Sequence, residues 1–258
     1  AAAKGGDAIA LTGDCPTITI PGKYAPPITI DASQAKVAGV IASGAGVYWR
    51  GGTITAGPLG YGFSVLRSKD VRIEDVEFRN AARGVVINQA TDVQVRGNRF
   101  LEMTIDGVDI ANSYRVIVDR NVCVSFSTGL AHPDCIQGWT RAGLGMADIA
   151  IIRNTILGRF QGVYFGNLLN PPGRAPDPGF DRVTIEDNYV RNLFPQGVSI
   201  YDCRDCRVRR NSAASLPGAP FRTQIAVTRS TGTICDNSAP DLTTTPPAVL
   251  PCPAGVVR

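Results

Sequence analysis

A short unit recurs along most of this chain of 258 residues, and it limits the possible folds more than any other feature. The unit places two apolar residues at alternate positions shortly before an asparagine or aspartate. These turn residues are Asp75, Asn98, Asn121, Asn154, Asn188, Asn211 and Asn237, with steps of 23, 23, 33, 34, 23 and 26 residues. Asparagine tolerates the left-handed backbone of a sharp bend between two short strands. The repeat therefore predicts a ladder of asparagine turns.

A second set of apolar strands runs in the same frame and mostly opens after a glycine. Examples are Gly84 to Ile87, Gly107 to Ile110 and Gly162 to Phe165. Their second and fourth residues are apolar and their third residue varies, which predicts alternation between inside and outside. Coils of three short strands stacked about 4.8 Å apart form a solenoid. We therefore expect an all-β, single-domain, right-handed parallel β-helix with rungs of roughly 22–23 residues.

The two ends of such a stack need protection, because open edge strands aggregate. We expect residues 1–36 to form an N-terminal cap region and residues 37–240 to form the rungs. Residues 241–258 then form a C-terminal tail, for which a bridge between Cys235 and Cys252 is one possibility. The sequence predicts no linker and no second domain.

Composition narrows the classes of function and partner. No apolar run approaches the roughly 20 residues that cross a bilayer, so we expect no membrane span. The arginines are interleaved with Asp and Glu instead of forming a basic run, which disfavours nucleic-acid binding. Six of the seven cysteines lie in pairs at short separations, which predicts an oxidising compartment and a secreted or periplasmic protein. Cys123 could pair with Cys135 or remain a buried thiol. We expect the protein to be a monomer.

Stacking brings residues of equivalent position together on the outside of the coils. On this basis Asp106 and Asp134 lie on adjacent rungs, with Asp109 on the strand of Asp106. Like charges at that separation raise a pKa or recruit a cation. With Gln137, these aspartates could hold Ca²⁺ through hard oxygen ligands.

Two long insertions flank these columns. The only histidine, His132, lies in the first, an extended loop from Ser125 to Pro133, and the second runs from Leu168 to Phe180. We expect both to form the walls of a cleft. The predicted catalytic residues are His132, Asp134, Asp106, Asp109 and Tyr164. The predicted substrate-binding residues, which include aromatic platforms for sugar rings, are Arg83, Gln137, Trp139, Arg141, Gln161 and Tyr201.

Over roughly residues 37 to 240, the chain resembles the pectate-lyase-like family of β-helix proteins. The stretch from Thr104 to Ile110 and the stretch from Pro133 to Ile136 are similar to the Asn-Thr-Asp-Gly and Gly-Asp-Asp-Cys segments of polygalacturonases. The resemblance implies that Asp106 and Asp134 correspond to the two carboxylates that activate water.

The resemblance also has gaps. Pro133 stands where that family has its general acid, Gln161 and Gly162 stand where a Gly-His-Gly is expected, and Ser199 and Tyr201 replace an Arg-x-Lys. An orthodox polygalacturonase is therefore not expected.

Three functions remain for a protein that acts on or binds a polysaccharide, and we expect that polysaccharide to contain uronates. The favoured one is β-elimination or the related epimerisation, with His132 or Tyr164 as acid or base and Arg83 or Arg141 facing the uronate carboxylate. The second is inverting hydrolysis by paired aspartates without a metal. The third is a noncatalytic carbohydrate-binding β-helix.

Overall fold

The computed structural model of the protein describes residues 2–127, 132–141, 143–166, 178–244 and 252. Of the two predicted insertions, residues 128–131 and 168–177 lie outside this described part, as do residues 245–251 and 253–258 of the predicted tail. The described chain forms 26 strands, and every strand pairing is parallel apart from one isolated bridge between Arg141 and Leu144. The predicted all-β, right-handed parallel β-helix is confirmed.

The strands form three columns, here called sheets A, B and C, that run along the solenoid. Four long strands turn a corner and contribute to two sheets, and these are β1 (Ala8–Cys15), β3 (Lys23–Val37), β6 (Thr53–Leu66) and β8 (Glu77–Asn88).

Sheet A begins at β2 and contains the ends of β6 and β8. Its other strands are β2 (Ile18–Ile20), β4 (Val40–Ala42), β11 (Asp106–Ala111), β14 (Asp134–Trp139), β17 (Gln161–Phe165), β20 (Gln196–Tyr201), β24 (Gln224–Thr228) and β26 (Asp241–Thr244).

Sheet B contains parts of β1 and β3. Its other strands are β5 (Ala45–Arg50), β7 (Lys69–Glu74), β9 (Thr91–Arg96), β12 (Tyr114–Asp119), β15 (Met146–Ile152), β18 (Phe180–Glu186), β21 (Cys203–Arg204), β22 (Cys206–Arg209) and β25 (Gly232–Cys235).

Sheet C contains the remaining parts of the four long strands. Its other strands are β10 (Arg99–Leu101), β13 (Val122–Val124), β16 (Thr155–Gly158), β19 (Tyr189–Asn192) and β23 (Ser212–Ser215).

The core is a continuous stack of apolar side chains inside the coils. Val85, Val108, Ile136 and Val163 occupy one inward position on successive strands of sheet A, and all four are fully buried. Burial of one such side chain stabilises the fold by roughly 1.5–3 kcal/mol. The predicted alternation is confirmed for these strands, and it leaves the residue between two inward positions, such as Asp109 between Val108 and Ile110, outside the apolar core.

The predicted asparagine ladder exists, but its physical basis differs from the expectation. The left-handed residue is the one before each asparagine, such as Arg120 (φ 55°) or Arg153 (φ 55°). Apart from the partly exposed Asn237, these asparagines are buried, and each amide bonds to a neighbouring coil. The Asn154 amide oxygen, for example, accepts from the backbone and side-chain nitrogens of Asn121 at 3.0 Å.

The placement of Asp75 in this ladder was wrong. Asp75 has a φ of 56° and corresponds to Gly97, the residue before Asn98. Val76 occupies the ladder position, since its backbone nitrogen donates to the Asn98 side chain at 2.9 Å. The ladder therefore begins at Asn98.

Strands extend close to both ends of the described part of the solenoid. β1 pairs with β3 from Ala8 onward, so most of the predicted cap region is itself a coil. At the other end, β26 pairs with β24, and Cys252 is bonded to Cys235.

Six cysteines form three disulfides, between Cys123 and Cys135, Cys203 and Cys206, and Cys235 and Cys252. The alternative that Cys123 is a buried thiol is therefore wrong, and Cys15 is the free cysteine. Disulfides of this kind persist in oxidising compartments. Within the described part of the chain, there is no helix of the length and apolarity required to span a membrane.

Many surface arginines pair with aspartates one coil away. The pairs with two short bonds between guanidinium and carboxylate are Arg115–Asp92, Arg182–Asp148, Arg204–Asp181, Arg210–Asp187 and Arg229–Asp202. Exposed pairs each contribute little to stability. These five arginines serve contacts between coils.

Candidate functional site

The site is built on sheet A, where the parallel register stacks polar residues of successive coils. Asp106 pairs with Arg83 on the preceding coil and with Asp134 on the following coil. Asp134 in turn pairs with Gln161. The prediction that these residues form one column is confirmed.

Arg83 is the cation at the centre of the cluster. Its Nε lies 3.1 Å from Asp106 Oδ2 and 2.8 Å from Asp109 Oδ2. The side chains of both aspartates are almost fully buried, and that of Arg83 is 23% exposed. One guanidinium therefore neutralises part of the charge of two carboxylates.

Asp109 is fixed from a second side. The indole Nε1 of Trp139 donates a 2.6 Å hydrogen bond to Asp109 Oδ1. Burial raises the pKa of Asp109, and the contacts with Arg83 and Trp139 oppose that rise. Both oxygens of Asp109 thus have a donor.

Asp106 lies between Arg83 and Asp134. Its Oδ1 accepts a 3.2 Å hydrogen bond from the backbone nitrogen of Asp134. Burial and the negative charge of Asp109 raise the pKa of Asp106 to about 7, although Arg83 opposes the shift. Asp106 can therefore exchange a proton near neutral pH.

Asp134 is the most isolated carboxyl of the three. Gln137 Nε2 donates to its Oδ2 at 3.3 Å, while its buried Oδ1 has no hydrogen-bond partner among the described residues. Burial raises the pKa of Asp134 well above its ordinary value, and the charges of Asp106 and Asp109 raise it further. Asp134 is therefore the group that retains a proton.

His132 is the exposed neighbour of this buried acid. Its Nδ1 lies 3.9 Å from Asp134 Oδ2, and 67% of its side chain is exposed. The disulfide between Cys123 and Cys135 closes the segment that contains both residues. That cross-link anchors the buried Cys135, the residue that follows Asp134.

The other predicted residues continue along the same sheet. Gln137 pairs with Tyr164, and the rings of Tyr164 and Tyr201 lie 5.9 Å apart. Burial raises the pKa of Tyr164, followed by smaller effects of Tyr201 and Asp134. The exposed Arg141 places its guanidinium carbon 5.0 Å from the centre of the Trp139 ring.

Sequence reasoning missed Tyr61 as a site residue. Between Gly57 and Tyr61, β6 has two residues more than the paired stretch of β8, so β6 forms a bulge there. The Tyr61 hydroxyl accepts a 3.3 Å hydrogen bond from Arg83 Nη1, and its ring lies under the same guanidinium. Tyr61 pairs with Arg83 in the register, so extending the column by one coil identifies it.

The aspartates do not fit the expected calcium site. Arg83 occupies the space between Asp106 and Asp109, and Trp139 holds the other Asp109 oxygen. Among the residues that the structure describes, the single group of three convergent ligand atoms of this type is Cys235, Asp236 and Cys252. Two of those residues are joined in a disulfide. The cation in the aspartate cluster is a guanidinium.

A comparison with models of protein families agrees with the architecture. The family model described as "Right handed beta helix region" matches residues 29–134, which include Arg83 and the three aspartates. A solved structure, the crystal structure of the Dettilon tailspike protein, aligns with a TM-score of 0.48 and 15% identity. The alignment covers 91% of this chain and 55% of that chain, so this chain spans about half of the length of that protein. A search of curated proteins gives no match.

Proposed function

We propose that this protein is a secreted or periplasmic carbohydrate-active enzyme that hydrolyses glycosidic bonds of a polysaccharide. One observation carries the proposal: three buried carboxyls lie together on two adjacent coils, and the guanidinium of Arg83 pairs with only two of them, Asp106 and Asp109. Three acids beside one cation retain at least one proton near neutral pH, because buried like charges resist ionisation together. A protonated and an ionised carboxyl side by side are the two groups that glycoside hydrolysis requires.

Asp134 is the proposed general acid. Its raised pKa keeps it protonated, and its Oδ1 is free of other hydrogen bonds among the described residues. A neutral carboxyl can donate its proton to the departing glycosidic oxygen. The proton moves from Asp134 to that oxygen as the bond to the sugar breaks.

Asp106 is the proposed base that activates the attacking water. Its pKa of about 7 suits proton transfer at neutral pH, and Arg83 stabilises its ionised form. Asp109 and Trp139 hold Arg83 and the strand end in place. The hydroxyl group of this water therefore bonds to the sugar carbon of the broken glycosidic bond, and Asp106 takes up the other proton of the water.

His132 completes the cycle by passing a proton from solvent to Asp134, while Asp106 releases to solvent the proton that it took from water. The imidazole is exposed, and its Nδ1 lies 3.9 Å from Oδ2 of the carboxyl that it would protonate.

Elimination or epimerisation is the second candidate, and a specific arrangement favours it. His132 could remove the proton beside a uronate carboxylate, and Arg141, two residues after the end of β14 at Trp139, could neutralise that carboxylate. Arg83 is poorly suited to that second task because two aspartates already compensate its charge. Elimination would therefore depend on Arg141 alone to neutralise the uronate carboxylate, and we place hydrolysis first for this reason.

The products distinguish the two reactions and separate both from a binding protein. Purified protein is incubated with polygalacturonate, alginate, chondroitin sulfate, xylan and dextran. New reducing ends without the ultraviolet absorbance of an unsaturated uronate indicate hydrolysis, and reducing ends with that absorbance indicate elimination. Epimerisation changes the sugar composition with neither signal. No change in any polysaccharide contradicts the proposal of an enzyme.

Asp134→Asn tests the general acid. We expect turnover to fall at least ~100-fold, because the amide cannot donate the proton that the leaving oxygen needs. Asp148→Asn is the matched control, since Asp148 lies on the surface of sheet B and pairs with Arg182. The control should retain the activity of the wild type. Full turnover by Asp134→Asn would exclude Asp134 as the acid.

Chelation tests the part played by metal. Because a guanidinium occupies the aspartate cluster, we expect turnover after extensive dialysis against EDTA to equal that of untreated protein. Loss of activity on chelation, with recovery on adding Ca²⁺ alone, would contradict this assignment.

A further inference from the structure

Aromatic side chains lie at or near the ends of three successive strands of sheet A. Gly138 pairs with Phe165, and Phe165 pairs with Ile200. The next positions on these strands are Trp139, Gly166 and Tyr201. The first and third of these positions are aromatic, and the middle one has no side chain.

Tyr164 fills the gap above Gly166. A Cβ atom added to Gly166 would lie 2.6 Å from both Cε1 and the hydroxyl oxygen of Tyr164, so the tyrosine ring covers this glycine. The same ring lies 5.9 Å from the ring of Tyr201, at an interplanar angle of 56°. Trp139, Tyr164 and Tyr201 therefore form one row, here called the aromatic row.

The aromatic row starts at the carboxylate cluster. Trp139 at its first position donates a hydrogen bond to Asp109. At its far end, Arg229 lies 5.9 Å from the Tyr201 ring, with its guanidinium held by Asp202. The row crosses three coils, which are about 4.8 Å apart, and so runs parallel to the axis of the solenoid.

We propose that the aromatic row binds an extended glycan chain parallel to the solenoid axis, on the C-terminal side of the carboxylate cluster. All three side chains are half-buried, so each presents part of an apolar ring beside polar groups. Such rings stack against the apolar faces of pyranose sugars. The inference rests on the proposed function, and it assigns the substrate class as a chain of at least three consecutive sugars rather than a mono- or disaccharide.

The test measures binding in the absence of turnover. Proteins carrying Asp134→Asn are run in native gels that contain polygalacturonate, alginate, chondroitin sulfate, xylan or dextran. We expect the dissociation constant for a retarding polysaccharide to rise about tenfold for Tyr201→Ala, the loss of one stacked ring. Gly166→Ala should weaken binding similarly, because the new methyl group displaces Tyr164.

The matched control is Tyr189→Ala, an exposed tyrosine on β19 of sheet C. It should leave retardation unchanged, and thermal unfolding confirms that every variant is folded. Equal retardation of Tyr201→Ala, Gly166→Ala and the parent protein overturns the inference, as does a parent protein that no gel retards. A wild type that binds through the row but cleaves none of the polysaccharides supports the inference and contradicts the proposed hydrolysis.

Discussion

Asp134 has a buried carboxyl whose single ion-pair partner in the described part of the chain is an exposed histidine 3.9 Å away. In the unfolded chain this carboxyl ionises near its ordinary pKa of 3.8, whereas burial holds the folded pKa well above that value. Between these two values the folded state binds more protons than the unfolded state. The free energy of unfolding must therefore decrease as pH rises through that window.

We expect the free energy of unfolding of the wild type to be lower at about pH 8 than at about pH 5. The decrease is about 1.4 kcal/mol for each pH unit of this range that lies between the unfolded and folded pKa of Asp134. Asp134→Asn cannot titrate, so its decrease should be clearly smaller. Asp148→Asn should retain the wild-type slope, because the pKa of Asp148 is lowered by Arg182 and it titrates below this window. Urea unfolding at both pH values measures the slopes, and identical slopes for Asp134→Asn and wild type would show that Asp134 ionises normally.

At this scale the sequence predicts which residues meet but not how they bond. Asp106 and Asp134 could be placed on adjacent coils because the strand register follows from the repeat. That Arg83 bridges Asp106 and Asp109 depends on side-chain rotamers, which the repeat does not specify. The calcium expectation arose from this missing information.

The asparagine ladder is the element that holds the coils in register. Each amide of the ladder satisfies buried backbone groups on the neighbouring coil, as Asn154 does by donating to Val118 O at 3.0 Å. A repeat in sequence located this ladder. The geometry of the ladder was harder to predict. Along the ladder, a left-handed turn residue comes directly before each asparagine, and both recur with the same spacing. Asp75 is a left-handed turn residue and not a member of the ladder.

Asn154→Ala should be far more destabilising than Asn237→Ala. Removal of Asn154 leaves the Asn121 nitrogen and the Val118 carbonyl buried without partners, at about 1–3 kcal/mol for each group. Asn237 lies at the end of the ladder and is partly exposed, so water can replace it. Urea unfolding of the two variants makes the comparison. Equal losses would mean that the ladder does not contribute through buried hydrogen bonds.

For the whole molecule, stacking turns distance along the sequence into proximity on one surface. Asp106 bonds to Arg83 across 23 residues and to Asp134 across 28 residues, and all three lie on sheet A. Coils continue on both sides of this cluster, so it lies in the middle of the stack rather than at a frayed end. The period of the repeat was sufficient to predict this architecture, because each coil can bury its apolar residues only against its neighbours.

The most direct test of the account is a crystal structure of Asp134→Asn with a bound oligosaccharide of the polysaccharide that the wild type cleaves. The account predicts that the chain of sugars lies over Trp139, Tyr164 and Tyr201, with one glycosidic oxygen within hydrogen-bond distance of the residue 134 side chain. An oligosaccharide bound on sheet B or sheet C, with sheet A empty, would contradict it.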